Sequence, residues 1–210
     1  MKKIYLVAIL VAGLLLLGAC TNETPTPAPI PEPAIPAHFT TYTDELALFS
    51  ISYPAEWEPV LSVMEGIEES VKDIMTSVDS NVPLENASII FMAGILTEDG
   101  NYEPNVNIIV EPLHDIDTQS ELVEASIRKA EIFIDDYHVL SRIETTVDGR
   151  EATIINAEGT YPQMGKFHGV QMIVKAGSTS WTITCAPPQG EFSRYEEDIN
   201  SIVRSLRLRK

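Results

Sequence analysis

Phe49, Ile51 and Tyr53 alternate with Ser50 and Ser52 until Pro54 interrupts them, the period of two that turns one face of a strand inward. With an earlier strand signal over Phe39 to Tyr42, this predicts an opening hairpin onto which Trp57 folds back. The period then changes. Val60, Met64, Ile67, Val71, Ile74 and Val78 recur at spacings of three and four, Glu65, Glu68, Glu69, Lys72 and Asp73 take the other side, and Ser62 with Glu65 forms a capping-box pattern. A helix is therefore expected from Leu61 to Val78, with Gly66 costing it about 1 kcal/mol relative to alanine.

The apolar run Ile89 to Leu96 reads as a central strand. It turns at Asp99 and Gly100 into Val106, Ile108 and Val110, a second hairpin. A second amphipathic helix comes next, with Val123, Ile127, Ala130 and Ile134 on one face, Thr118 and Glu121 as its capping box, and an end near Asp135 and Asp136. Strand signals then run over Val139 to Val147, Ala152 to Tyr161, Phe167 to Lys175 and Trp181 to Cys185, with turns at Asp148-Gly149 and Gly177-Ser178. A last helix is expected with Ser193 and Glu196 as capping box and Tyr195, Ile199, Ile202 and Leu206 as its apolar stripe. Short turns make neighbouring strands antiparallel, so the class is α+β: an antiparallel sheet flanked by helices, an α/β/α sandwich. Residues 39–210 have the length of one domain with a sizeable core.

The start of the chain has a different character. Lys2 and Lys3 precede an apolar run from Ile4, and Leu17-Gly18-Ala19-Cys20 resembles the bacterial lipobox. The run is shorter than the roughly 20 residues a membrane-spanning helix needs. Residues 1–19 are expected to be a lipoprotein signal peptide and Cys20 the site of lipid attachment, which places the mature chain on the extracytoplasmic side of the cell membrane. Residues 20–38 are the lipidated cysteine and a linker in which Pro25, Pro27, Pro29, Pro31, Pro33 and Pro36 favour extended polyproline II. At about 3.1 Å per residue, Thr21 to Ala37 reaches roughly 50 Å.

Charge narrows the partners. The formal net charge is −17, and loss of residues 1–19 removes two lysines and no acid. Nucleic acid and anionic lipid headgroups need a basic footprint, which is missing apart from Arg204, Arg207, Arg209 and Lys210, read as cations at a helix C-terminus. With Cys20 committed to lipid, Cys185 has no intramolecular partner, and its strand parity with Trp181 and Ile183 points to burial. His38, His114, His138 and His168 are scattered. Asp135, Asp136 and His138 come nearest to a metal cluster but fall short of a ligand set, and His114 with Asp115 falls further short, so no metal or other cofactor is expected. No nucleophile elbow, phosphate loop or HExxH pattern occurs, so no catalytic residue and no enzymatic activity is expected.

Four stretches resemble the PsbP-like family in order and spacing: Phe49 to Trp57 (FSISYPAEW), Asn105 to Val110 (NVNIIV), Val147 to Glu151 (VDGRE), and Phe192 with Ile202 to Leu206 (IVRSL). The resemblance implies an antiparallel sheet between helices. Its best-known member is an extrinsic, non-catalytic photosystem subunit, and bacterial relatives include lipoproteins. The helix over 61–78 is longer than the family pattern leads one to expect. Two functions of different classes are compatible with these features. The first is a tethered module, held to the membrane through Cys20, that docks on an envelope or membrane protein complex. The second is a binder of a small apolar ligand or lipid in a groove between helix 61–78 and the sheet.

Overall fold

The computed structural model describes residues 34–44, 48–60, 88–98, 102–162 and 165–209. The expected helix at 61–78, the turn at Asp99 and Gly100 and the segment around Cys20 lie outside the described residues. The chain runs β1 (Phe39–Thr43), β2 (Phe49–Pro54), β3 (Glu58–Pro59), β4 (Ser88–Leu96), β5 (Tyr102–Pro112), α1 (Gln119–Phe133), β6 (Asp135–Val147), β7 (Arg150–Tyr161), β8 (Gly165–Ala176), β9 (Thr179–Ala186), α2 (Phe192–Ser205) and β10 (Arg207–Leu208). The fold is α+β with antiparallel sheets, as the periodicities predict.

The strands divide between two sheets. A larger one has the order β3-β4-β5-β9-β8-β7-β6, and a smaller one the order β1-β2-β10. Alternation gives the larger sheet two apolar faces. Its first face carries Phe91, Ala93, Val106, Ile108, Ile154, Met172, Val174, Ile183 and Cys185, and packs against β2, α2 and Leu208 in one core. The second face carries Ile155, Ala157, Phe167 and Ile173, covered by Leu122 and Val123 of α1. The helices thus lie on opposite faces. β4, expected as a central strand, sits one place in from the edge, because β9 rather than a nearer strand takes the free side of β5.

Trp181, Ile183 and Cys185 do share the first face, but Trp181 is half-buried, its ring edge-on to Phe49 at 5.7 Å between centroids. Trp57 is the fully enclosed indole, at 2% exposure.

Both helix starts are informative. At α1 the predicted capping box forms: Thr118 Oγ1 accepts from the Glu121 N–H at 3.2 Å, and Glu121 Oε2 accepts from the Thr118 N–H at 2.9 Å. At α2 the expected Ser193/Glu196 box does not form. The helix begins earlier, with Glu191 at the N-cap and no side-chain cap bond. Here the approach decides. Gly190 turns at φ 79°, the Glu191 N–H donates to the Pro188 carbonyl at 3.0 Å, and Phe192 in the first turn stacks on His168 at 3.7 Å. Arg204 stands in the last turn of α2 as expected, and Arg207 just beyond it caps the end, its Nη1 donating to the Arg204 and Leu206 carbonyls at 3.0 and 2.9 Å. Arg207 and Leu208 themselves leave the helix and pair with Ser50 and Phe49 of β2.

That pairing stops short of Ser52, and a side chain completes it. The Ser52 N–H donates to Ser205 Oγ at 2.8 Å, and Ser205 Oγ lies 3.1 Å from the Ser52 carbonyl and 2.7 Å from that of Ile202. Both serines are buried. Ser205→Ala is expected to lower unfolding free energy by about 1–3 kcal/mol by stranding the Ser52 main chain, read as a lower urea midpoint with an unchanged slope. A pH effect is expected at the α1 cap. Its hydrogen bonds, the Thr118 N–H first, pull the Glu121 carboxyl below its usual range. The carboxylate therefore stabilises the fold above its unfolded pKa, and the contribution fades as pH falls through the depressed folded value. Glu121→Ala should lower the urea midpoint near neutral pH, and the difference should shrink as pH falls below the usual carboxylate range.

Candidate functional site

Cys185 and His168 are spent on structure. Cys185 is fully enclosed, and burial pushes its thiol far above the usual range, away from the nucleophilic thiolate. His168 Nε2 is 3.0 Å from Asn156 Oδ1 and its ring is covered by Phe192. His38 meets Asp198 of α2 at 3.0 Å, where the proline-rich stretch joins the domain. His114 and Asp115 sit exposed in the loop before α1. Asp135, Asp136 and His138 are exposed at the start of β6 rather than in a loop after a helix, and a register shift separates Asp135 from His138. Among the described residues no three His, Cys, Asp or Glu side chains are grouped to hold a metal ion. Cys20 lies outside the described residues.

Two surfaces remain. Beside the small sheet an open groove of about 570 Å³ is lined by Thr41, Ser50, Ser52, Ser205 and Arg207. Three of its hydroxyls are engaged: Thr41 and Ser52 bond each other at 2.9 Å, and Ser205 holds the Ser52 main chain. On the second face of the large sheet, the aligned row Met92, Asn107, Thr184 and Gln171 is mostly polar, with Gln171 Nε2 donating to Thr184 Oγ1 at 3.2 Å. Such a row offers a poor wall for an apolar ligand.

The edge strand β6 differs from both. The other edge of the large sheet is the two-residue β3, which ends in Pro59 and so has little to offer a further strand. β6 has 13 residues and is largely exposed. Val139, Leu140 and Ile143 on it, and Ile132 near the end of α1, expose 37–53% of their surface. Gly159 makes the close join between α1 and this edge, since a Cβ there would stand 2.4 Å from Ile134 Cγ2.

A polar chain orders the edge from behind. Gln119, 4% exposed, donates through Nε2 to the Ile173 carbonyl at 2.9 Å and to Thr153 Oγ1 at 3.2 Å, and its Oε1 accepts from the Lys175 N–H at 2.9 Å. Thr153 Oγ1 donates to Glu144 Oε2 at 2.7 Å. Arg142 then donates to Glu144 and to Glu124 of α1, each at 2.7 Å. The Glu144 bond above all raises the guanidinium pKa. Glu144 and Arg142 are thereby held side by side on the strand. Sequence patterning missed this: Gln119 reads as a polar first-turn residue, and its burial depends on β8 lying beneath it.

No family model matches the chain, and no curated protein matches it in sequence. Solved structures do. Cyanobacterial PsbP (CyanoP) from Synechocystis sp. PCC 6803 aligns with a TM-score of 0.53 at 12% identity, over 92% of this chain and 99% of that one. Protein PA94 from Pseudomonas aeruginosa aligns at a TM-score of 0.46 and 11% identity, over 82% and 99%. The Ran-binding protein Mog1p of Saccharomyces cerevisiae aligns at 0.46 and 11%, over 81% and 95%. The fold is PsbP-like.

The burial of Cys185 has a direct consequence. In the folded full-length chain it should resist alkylation by iodoacetamide at mildly alkaline pH and react fully in denaturant. Rapid labelling of that position in the native state would contradict the geometry.

Proposed function

We propose that this protein is a non-catalytic, membrane-tethered module that works by binding other proteins, docking on an envelope or membrane protein complex. The observation that carries the reading is β6, a 13-residue edge strand with apolar side chains exposed and its charged pair fixed in place. An open strand edge presents unpaired main-chain donors and acceptors, and pairing by another strand supplies affinity without any catalytic group. The lipobox-like sequence supports an address: signal peptide 1–19, lipid on Cys20, and the domain from residue 39 displayed on the extracytoplasmic face at the end of a linker reaching about 50 Å. The likeness to PsbP supports the fold on which such a role rests, and the sequence resemblance supports a role without turnover.

The acidic surface, formally −17, favours a docking face that is neutral or basic, so association should slow as salt is added. Two measurements test the reading. Cys20→Ala should move the full-length chain from the membrane to the soluble fraction with its folded domain intact, and tight retention of that variant would refute lipid as the main attachment. Ile143→Asp, at an exposed position, should leave the urea midpoint unchanged and abolish co-purification of protein partners from membranes. Retention of all partners by that variant would remove β6 from the binding surface.

A further inference from the structure

The hydrogen-bonding sense of β6 is set by its turn. Asp148 and Gly149 both have positive φ, 48° and 77°, the two-residue turn that makes Val147 and Arg150 a hydrogen-bonded pair. The register is regular from Val147↔Arg150 to Ser141↔Asn156, and bonded and non-bonded pairs alternate along it. Ile143 and Thr145 therefore bond to β7, while Arg142 and Glu144 direct their N–H and C=O groups outward. Those two side chains share the face occupied by Glu124 of α1, and Ile143 lies on the opposite face.

An antiparallel strand added here by a second copy of the chain lies across a two-fold axis perpendicular to the sheet. Side chains that face each other must then come from the same side, so the axis passes between a residue and its own mate. Centred on Arg142, two guanidiniums oppose each other, and centred on Glu144, two carboxylates do. Centred on Ile143, Arg142 of each copy faces Glu144 of the other, Ile143 meets its own symmetry mate, and Ser141 meets Thr145. The charge order of the strand thus disfavours the registers centred on Arg142 and Glu144 and gives the one centred on Ile143 two cross-strand Arg142–Glu144 pairs. In it, each Arg142 sits between its own Glu144 and that of the second copy, an alternating square of charges that cross-strand pairing favours.

We propose that β6 is paired by β6 of a second copy, antiparallel and centred on Ile143, so that the tethered unit is a two-fold dimer with a continuous sheet. This rests on the reading of β6 as a protein-binding edge and takes a second copy as the strand that fills it, so that docking on other proteins falls to the dimer. The arrangement is closed: the same edge is used by both copies, and the outer edges are the short, proline-bearing β3, which stops further growth.

The register gives a position-specific test. Ile143 and its mate form a non-hydrogen-bonded pair, with Cα atoms about 4.5 Å apart, within disulfide reach. Full-length Ile143→Cys, oxidised in its membrane, should yield a disulfide-linked dimer as the main product. Leu140→Cys, equally exposed but about six residues away from its mate along the paired strands, should not. Arg142→Glu should weaken dimerisation of the detergent-solubilised chain roughly tenfold or more, and Arg142→Glu with Glu144→Arg should restore it. Absence of the Ile143 disulfide, or equal cross-linking at 140 and 143, would overturn the pairing. A photo-crosslinker attached to the Ile143→Cys thiol distinguishes self-pairing from docking on another protein. An adduct with a different polypeptide overturns self-pairing and leaves β6 as a docking edge, whereas no protein adduct overturns both.

Discussion

The small sheet is held on the large one through aromatic contact, and the rest of the first core is built around it. Phe91 of β4 meets Tyr42 of β1 at 4.8 Å and Tyr53 of β2 at 5.5 Å, while Phe49 reaches Phe91 at 6.3 Å and Trp181 at 5.7 Å. Phe49 and Phe91 are almost fully enclosed, and each contributes about 1.5–3 kcal/mol by burial, with further gain from edge-on geometry. Because β2 is fixed over β4 in this way, its free side is available to the end of the chain. Leu208 and the Ser205 hydroxyl take that side, and α2 is carried down onto Ile183 and Met172.

The second face obeys the same requirement with less material. α1 joins β5, in the interior of the large sheet, to β6 at its rim, and so must cross the face that β2 and α2 leave open. Gln119 fixes the start of that crossing. Its buried amide would be costly without partners, and β8 supplies main-chain groups for both of its atoms. The same side chain leads through Thr153 to Glu144 and Arg142, so the cover of the second face and the order of the exposed edge come from one set of bonds.

This division bears on the proposed binding role. Groups that could be reactive, Cys185 and His168 among them, are consumed by packing, stacking or hydrogen bonds. The asymmetry between a short, proline-bearing rim at β3 and a long one at β6 is what the proposal stands on.

Local pattern in the sequence determined β1, β2, β4, β5 and β6 to β9, the tight turns at Asp148-Gly149 and Gly177-Ser178, the Thr118/Glu121 cap and the parity that buries Ile183 and Cys185, because each depends on residues a few positions apart. The lipobox-like segment and the proline-rich stretch are local signals of the same kind. Tertiary structure decided what depends on distant partners. The β5–β9 pairing, which moves β4 toward the rim, joins residues 67 to 81 positions apart, and no periodicity records it. The α2 start shifted because Phe192 found His168, and Arg207 with Leu208 became a strand because β2 had an unpaired side. The edge itself was invisible for the same reason: Arg142, Ile143 and Glu144 read as one more alternating strand until the sheet order placed no described strand beyond them.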